Sequence, residues 1–248
     1  MAFSGGVDST LLLHVAHDVL GDNAVAITAC LHSLDPADLD EARLFCKRNG
    51  IQHIEVPLNE LEVPGFRENP PDRCYLCKKS VFGSILETAR AAGFPIVAEG
   101  SNMDDLDDYR PGYKAILELG VASPLKEAGL TKAEIRQALA ALDIGKAAEK
   151  ADYPAFACLM TRIPFGEEIT EEKLDMIYKA ETYLKEHGFT QVRVRCHEIA
   201  GGLLARIEML PEEMPNLAAA ECDAAIREIG FQFVTLDLGG YEKGKMNR

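Results

Sequence analysis

The chain has 248 residues, 47% of them hydrophobic, enough apolar material for one large domain or two modest ones and too much for a disordered segment. Forty acidic residues against 26 basic ones give a formal net charge of -14, a field that disfavours a polynucleotide substrate and an anionic membrane surface. No apolar run approaches the roughly 20 residues needed to span a bilayer, and no basic-then-apolar leader opens the chain, so a cytoplasmic protein is expected.

The chain opens on Met1-Ala2-Phe3, followed by Ser4-Gly5-Gly6-Val7-Asp8-Ser9. From Ser9 to Leu20 the residues Leu12, Leu13, Ala16, Val19 and Leu20 recur at helical spacing and Gly21 follows as a stop, which predicts a helix beginning inside the glycine motif. AVAITACL then reads as a strand, DPADLDEARLFCKRNG as a helix and IQHIEVPL as a strand. After a Pro-containing loop to about Arg73, KKSVFGSILETARAAG is helical and leads into the short strand PIVAEG. Strands alternating with helices predict an α/β fold, a parallel sheet covered on both faces, with ligands at the carboxyl ends of the strands.

The middle is less regular. SNMDDLDDYRPGYKAILELGVASPL reads as loop with one short helix, and LTKAEIRQALAAL opens with the capping box Thr131-x-x-Glu134. Two prolines and a glycine in ADYPAFACLMTRIPFG break the helical pattern and suggest a domain boundary, dividing the chain into residues 1–150 and 151–248. Beyond it, TEEKLDMIYKAETYLKEHG and MPNLAAAECDAAIREIG are helical, while QVRVRCHE, LLARIEML and FQFVTLDL are strand candidates, predicting a small α+β unit around three strands.

A glycine-rich turn entering a helix offers backbone N–H groups and a positive dipole end to a phosphate. Gly5 and Gly6 permit close approach, and Ser4 and Ser9 add hydroxyls. A carboxylate such as Asp8 makes sense beside phosphates chiefly with Mg²⁺ between them. The absence of GK[ST] separates this turn from the loop of γ-phosphate transfer. The plain alternative is a helix cap that carries glycines.

Ser4 to Ser9 resemble SGGxDS, the PP-loop of the ATP pyrophosphatases. That resemblance implies a doubly wound, adenine nucleotide alpha hydrolase-like domain that binds ATP along Ser4, Gly5, Gly6, Val7, Asp8 and Ser9, releases pyrophosphate and adenylates a substrate. Relatives carry a helix and a whole first strand before the motif, where this chain has three residues. Thr28 through Ser33, and Gly100-Ser101-Asn102 with Asp104 and Asp105, fall at strand ends and are further nucleotide candidates. For the acidic run DDLDDYR, a solvated loop is the alternative.

Seven cysteines, scattered and odd in number, do not form a secreted disulfide pattern. Cys74 and Cys77 form a CxxC immediately before a helix, and Cys158 sits in PAFACLMTR; three such thiolates leave one position open on a zinc ion or on a [4Fe-4S] cluster. Cys30, Cys46, Cys196 and Cys222 lie in strand or helix patterns and are read as packed thiols. In QVRVRCH the alternation puts Arg193 and Arg195 on one strand face, a fork for a phosphate. Solvated arginines paired with glutamates are the alternative. Arg162 and Arg110 are further anion candidates, and Glu181 either orients Arg193 or joins a subunit contact.

SGGVDST, RCYLCKK, EGSNMDDLDDYRPGYKAILELGVASPL, ACLMTRIPFGEEIT, QVRVRCH and LGGYEKGKMN occur in the order found in the LarE family, and the chain resembles that family over almost its whole length. The resemblance implies an ATP-dependent sulfur transferase of nickel-pincer nucleotide biosynthesis. Such an enzyme adenylates a carboxylate of pyridinium-3,5-biscarboxylic acid mononucleotide, releasing pyrophosphate, and sulfur then expels AMP to leave a thiocarboxylate. The sulfur comes either from a [4Fe-4S] cluster on Cys74, Cys77 and Cys158 or from Cys158 itself, as sulfide or cysteine-derived sulfur. All three positions are present, which favours the cluster form. The resemblance also implies a homo-oligomer with a small nucleotide as substrate and Arg193, Arg195 and Arg162 on its phosphate. A PP-loop tRNA thiolase fits the cysteines but not the charge of -14, an amide-forming ligase leaves the cysteines unexplained, and an ATP-binding regulatory module is the reading without catalysis.

Overall fold

The computed structural model describes residues 1–34, 36–106, 111–142, 144, 158–242 and 245. It divides into two compact units: Met1–Val63 with Asp72–Tyr153, and Pro64–Pro71 with Pro154–Arg248.

The first unit is mixed α/β. Its described α-helices are α1 (Val7–Leu20), α2 (Pro36–Arg48), α3 (Arg73–Ala91), α4 (Pro111–Glu118), α5 (Pro124–Glu127) and α6 (Lys132–Ala141). Strands β1 (Ala26–Cys30) and β2 (His53–Pro57) pair in parallel, with Ala26 opposite His53 and Cys30 opposite Pro57. The short opening segment takes a place beside them: Ala2 bridges Ile27 in parallel, and the Phe3 N–H donates to the Ile27 carbonyl at 2.9 Å. Ala2 in turn donates to the Ala98 carbonyl at 2.8 Å, and Ala98 pairs with Ala122. Hydrogen bonds therefore connect, in order, residues 53–57, 26–30, 1–3, 97–99 and 121–123. The predicted strand PIVAEG is reduced to this one bridge at Ala98.

Neighbouring residues on a strand face opposite ways, so one apolar run can serve two layers. Ala26 packs with Phe3, Leu13 of α1, and Ala42 and Cys46 of α2. Val25 and Ile27 pack with Phe82, Ile85, Leu86 and Ala89 of α3 and Ile116 of α4. Helices on both faces explain why AVAITA is continuously apolar rather than alternating. A third cluster joins Leu11 and Leu12 of α1 to Leu125, Ile135 and Leu139, and Thr131 completes the predicted capping box of α6 with Glu134.

One boundary differs from the sequence expectation. Helix α3 starts at Arg73, directly after Pro70-Pro71-Asp72, so Cys74 and Cys77 lie inside its first turns and not before it. A proline pair followed by Asp is itself a helix-start signal.

The second unit carries a three-stranded sheet in the order β3 (Arg193–Ile199), β4 (Gly202–Glu208), β5 (Phe233–Leu236). β3 and β4 are antiparallel with Arg193 opposite Glu208, and β4 and β5 are parallel with Leu204 opposite Phe233. Helix α7 (Glu171–Glu186) is capped by Thr170, whose side chain accepts from the Lys173 N–H, and it packs on β3; α8 (Ala219–Ile229) precedes β5. Leu174, Ile177, Ala180 and Leu184 form the buried stripe of α7. Residues 64–71 join this unit through Asn69, which is fully buried at φ 52° and donates its amide to the Ile163 and Pro164 carbonyls at 3.2 and 2.6 Å. Asparagine is one of the few side chains that adopts that left-handed conformation readily. Among the described residues no helix is long and apolar enough to cross a membrane.

Candidate functional site

In the first unit the glycine turn runs straight into α1. Gly6 is the N-cap and no side chain caps the helix, so its first-turn N–H groups are not covered by one. The serines shape the turn: the Ser9 hydroxyl donates to the Gly6 carbonyl at 3.1 Å and lies 3.2 Å from the Ser4 hydroxyl. Gly5 sits at φ +72°, and a Cβ there would come within 3.3 Å of the Asp38 carbonyl. Gly100 is required by proximity, because a Cβ would meet the Ser9 backbone nitrogen at 3.0 Å and the Asp8 Cβ at 3.1 Å.

Asp8, Asn102 and Asp105, three of the nucleotide candidates, lie together. The Asn102 amide donates to Asp8 Oδ1 at 3.2 Å, while the Asn102 N–H donates to Asp105 Oδ2 at 3.0 Å. The other Asp8 oxygen is held by the Lys132 ammonium of α6, and the Lys132 N–H donates to Asp104 at 2.9 Å. Lys132 was not singled out in the sequence, where the first residue after an N-cap looks like an ordinary solvated position. Glu99, only 6% exposed, fixes the loop from beneath: it accepts from the Ser101 N–H and hydroxyl and from the Ser123 hydroxyl.

Thr28 and Ser33 have internal partners. The Thr28 hydroxyl donates to the Phe3 carbonyl at 2.7 Å and lies 2.8 Å from His53 Nε2, whose ring burial holds below the usual histidine range. The Ser33 and His32 N–H groups both donate to buried Glu60, which shapes the turn after β1.

The seven cysteines separate by environment, and no disulfide joins any of them. Burial pushes the Cys46 and Cys196 thiols up to about 12 and raises Cys222, and burial with the nearby Glu55 charge raises Cys30. Cys74 and Cys158 are exposed and Cys77 is half-buried. Cys74 and Cys77 are three residues apart on α3 in the first unit, hence on one helix face. Cys158 is the N-cap of a 3₁₀ turn, Leu159–Arg162, in the second unit. Among the described residues of either unit, no three His, Cys, Asp or Glu side chains gather as a metal-binding group.

The three arginines are buried, so of the alternative the solvated half does not hold while the glutamate pairing does for Arg195, and β3 is covered on both faces from Arg193 to Cys196. Arg162 reaches Glu181 with Nε at 2.7 Å and Nη2 at 3.1 Å, and Glu181 Oε1 also accepts the Val194 N–H. Arg195 places Nε and Nη2 on Glu208 Oε2 at 3.0 and 2.6 Å and Nη1 on the Thr161 carbonyl. Arg193 donates to the Val192 carbonyl at 2.7 Å and stacks over Tyr241 at 5.3 Å; among the described residues no carboxylate is ion-paired with it. Burial and then the Arg162 charge pull the Arg193 guanidinium below its ordinary range. Arg110 lies outside the described residues.

No family model matches the chain. It is 45% identical over 252 residues to an uncharacterised protein of Synechocystis sp., spanning 100% of this chain and 91% of that one. An uncharacterised protein of Methanocaldococcus jannaschii is 30% identical over 199 residues, 79% of this chain and 72% of that one. The pyridinium-3,5-bisthiocarboxylic acid mononucleotide synthase of Lactiplantibacillus plantarum is 34% identical over 253 residues, spanning 100% of this chain and 88% of the synthase. With 34% identity spanning the whole chain and 88% of that synthase, the chain belongs to the LarE family.

Proposed function

We propose that this protein is an ATP-dependent sulfur transferase that converts a carboxylate of pyridinium-3,5-biscarboxylic acid mononucleotide into a thiocarboxylate. The observation that carries the ATP part is the glycine turn itself: an uncapped α1 N-terminus beside Asp8, with the Gly100 backbone so close that a Cβ there would press on Ser9 and Asp8. The name of the Lactiplantibacillus relative supports the substrate class. In this proposal residues 1–150 are a doubly wound PP-loop domain, for which the hydrogen-bonded order of five segments is support, and residues 151–248 are a small substrate or oligomerisation domain of a cytoplasmic homo-oligomer.

In the first step a carboxylate oxygen attacks the α-phosphorus of ATP and the bond to the β-phosphate oxygen breaks, so that an acyl-adenylate forms and pyrophosphate leaves. The α1 N–H groups and the Ser4 and Ser9 hydroxyls are positioned to take the developing negative charge. Asp8 is the residue to hold Mg²⁺, which supplies neutralisation of the phosphate oxygens. In the second step sulfur attacks the acyl carbon and AMP leaves. Arg193, with Arg195 of β3 and Arg162 of the Leu159–Arg162 turn, is the proposed anchor for the mononucleotide phosphate, since it alone of the three lacks a carboxylate partner among the described residues.

For the sulfur, Cys74, Cys77 and Cys158 are the proposed cluster ligands; Cys74 and Cys158 are exposed, whereas Cys46, Cys196 and Cys222 are buried. A [4Fe-4S] cluster, when bound by three thiolates, supplies a labile sulfide at its fourth iron. The exposure of Cys158 favours a second route, in which its thiolate displaces AMP to form a thioester, and removal of the Cα proton with cleavage of the Cβ–S bond then releases the thiocarboxylate and leaves dehydroalanine. Anaerobic turnover with ATP and the pyridinium substrate decides. AMP and pyrophosphate support the proposal, and labelled ATP returning only as ADP or untouched overturns it. Iron with an unchanged Cys158 mass indicates the cluster, whereas no iron and loss of the elements of H₂S indicates sacrifice.

A further inference from the structure

The ion pair between Asp8 and Lys132 joins residues 124 positions apart, from the second residue of α1 to the first of α6. Both side chains are about a quarter exposed, and pairs that exposed contribute little to stability. The pair is also electrostatically redundant. A carboxylate in the first turn of a helix already meets the positive end of the helix dipole, so an ammonium brought to the same place makes the turn more positive than Asp8 needs. The backbone of Lys132 is meanwhile fixed without its side chain, by the Thr131 capping box and by Asp104. What is built here is a side-chain ammonium paired, at the glycine turn, with the carboxylate proposed to take a metal.

We propose that Lys132 is an exchangeable counterion of the glycine turn. In the nucleotide-free protein it neutralises Asp8; when Mg·ATP enters, Asp8 passes to the metal and the released ammonium passes to the polyphosphate. The inference rests on the ATP reading above. Its consequence is an order of exchange in which the turn never presents a bare carboxylate to an anion: Lys132 covers Asp8 until Mg²⁺ does.

Calorimetry with α,β-methylene ATP, in Mg²⁺ and separately in EDTA, tests this on the full chain. With Mg²⁺, K132M is expected to bind about tenfold more weakly than wild type, the effect of losing one charged hydrogen bond to phosphate. In EDTA, D8N is expected to bind about tenfold more tightly than wild type, because the carboxylate is gone and Lys132 is already released. The D8N/K132M double variant should lose that gain. If the gain persists in the double variant, or if K132M binds the Mg²⁺ complex as tightly as wild type, Lys132 is a structural tether and the inference is overturned. Should K132M alone melt early, D8N against D8N/K132M still decides, since the ion pair is absent from both. A wild-type protein that binds the nucleotide under neither condition overturns the ATP reading itself, and the exchange with it.

Discussion

Arg162 and Glu181 form a two-point ion pair inside the second unit, with only 2% and 4% of their side chains exposed. Because Glu181 Oε1 also accepts the β3 N–H of Val194, one carboxylate ties the turn after Cys158 to the sheet. Breaking such a pair leaves a buried charge uncompensated. Glu181→Ala is therefore expected to destabilise the second unit by about 3–5 kcal/mol, read from urea denaturation. A loss below about 1 kcal/mol, the range of surface pairs, would show that Arg162 is not buried in solution.

The separation of the cysteines predicts a labelling pattern. At pH 8, iodoacetamide followed by peptide mass mapping should modify Cys74 and Cys158 in the folded protein, and Cys46, Cys196 and Cys222 only after denaturation. Protection of Cys74 and Cys158 in aerobic, iron-free protein would contradict the exposure that makes them sulfur-site candidates.

Gly100 makes a sharper test of the glycine turn. An alanine Cβ would press on the Ser9 backbone and the Asp8 Cβ, neither of them a flexible side-chain end. Overpacking of this kind costs about 1–3 kcal/mol, so AMP formation by Gly100→Ala should fall by about tenfold or more while the far-ultraviolet spectrum is unchanged. Unaltered turnover would place the nucleotide elsewhere.

Asp237 predicts an acid limit for the second unit. Burial works against its charge, but Lys245, the Gly239 N–H and Arg206 together overcome burial and hold the carboxyl at about 2, below its ordinary 3.8. A carboxyl depressed on folding contributes stability that is complete above its unfolded value and is lost as pH falls. Wild type should therefore weaken from about pH 4 toward pH 2, and Asp237→Asn should flatten that part of the profile while lowering stability at neutral pH. Parallel acid profiles for the two proteins would rule out the Asp237 contribution.

How much of this could be read from the sequence follows from the range of each interaction. Helix α1, the capping box of Thr131 and Glu134, and the apolar run that became β1 depend on residues within a few positions of one another, and spacing is enough to find them. Asp8 and Asn102 could be singled out separately, since each follows an extended segment at the carboxyl edge of a parallel sheet, but their hydrogen bond to each other was not legible. Lys132, Glu60, Glu99 and Glu208 gave no such signal. Each is a charged residue in a segment that reads as ordinary, and each has a partner 24 or more positions away or, for Glu208, across a strand register. The buried state of Arg193 and Arg195 was hidden for the same reason: alternation assigns a strand face, while the covering of that face depends on what the rest of the chain lays over it.

The excursion of residues 64–71 into the second unit makes the backbone pass between the units three times, after Val63, after Pro71 and after Tyr153. Splitting the gene at the third passage would give two polypeptides of which neither is self-sufficient. The N-terminal piece would carry Asn69 without the Ile163 and Pro164 carbonyls that satisfy its amide, and the C-terminal piece would lack the strand of contacts that Arg67 and Asn69 lend to Gly166 and Ile169. The halves are interlocked along the chain, so they should be recoverable as soluble protein only when produced together.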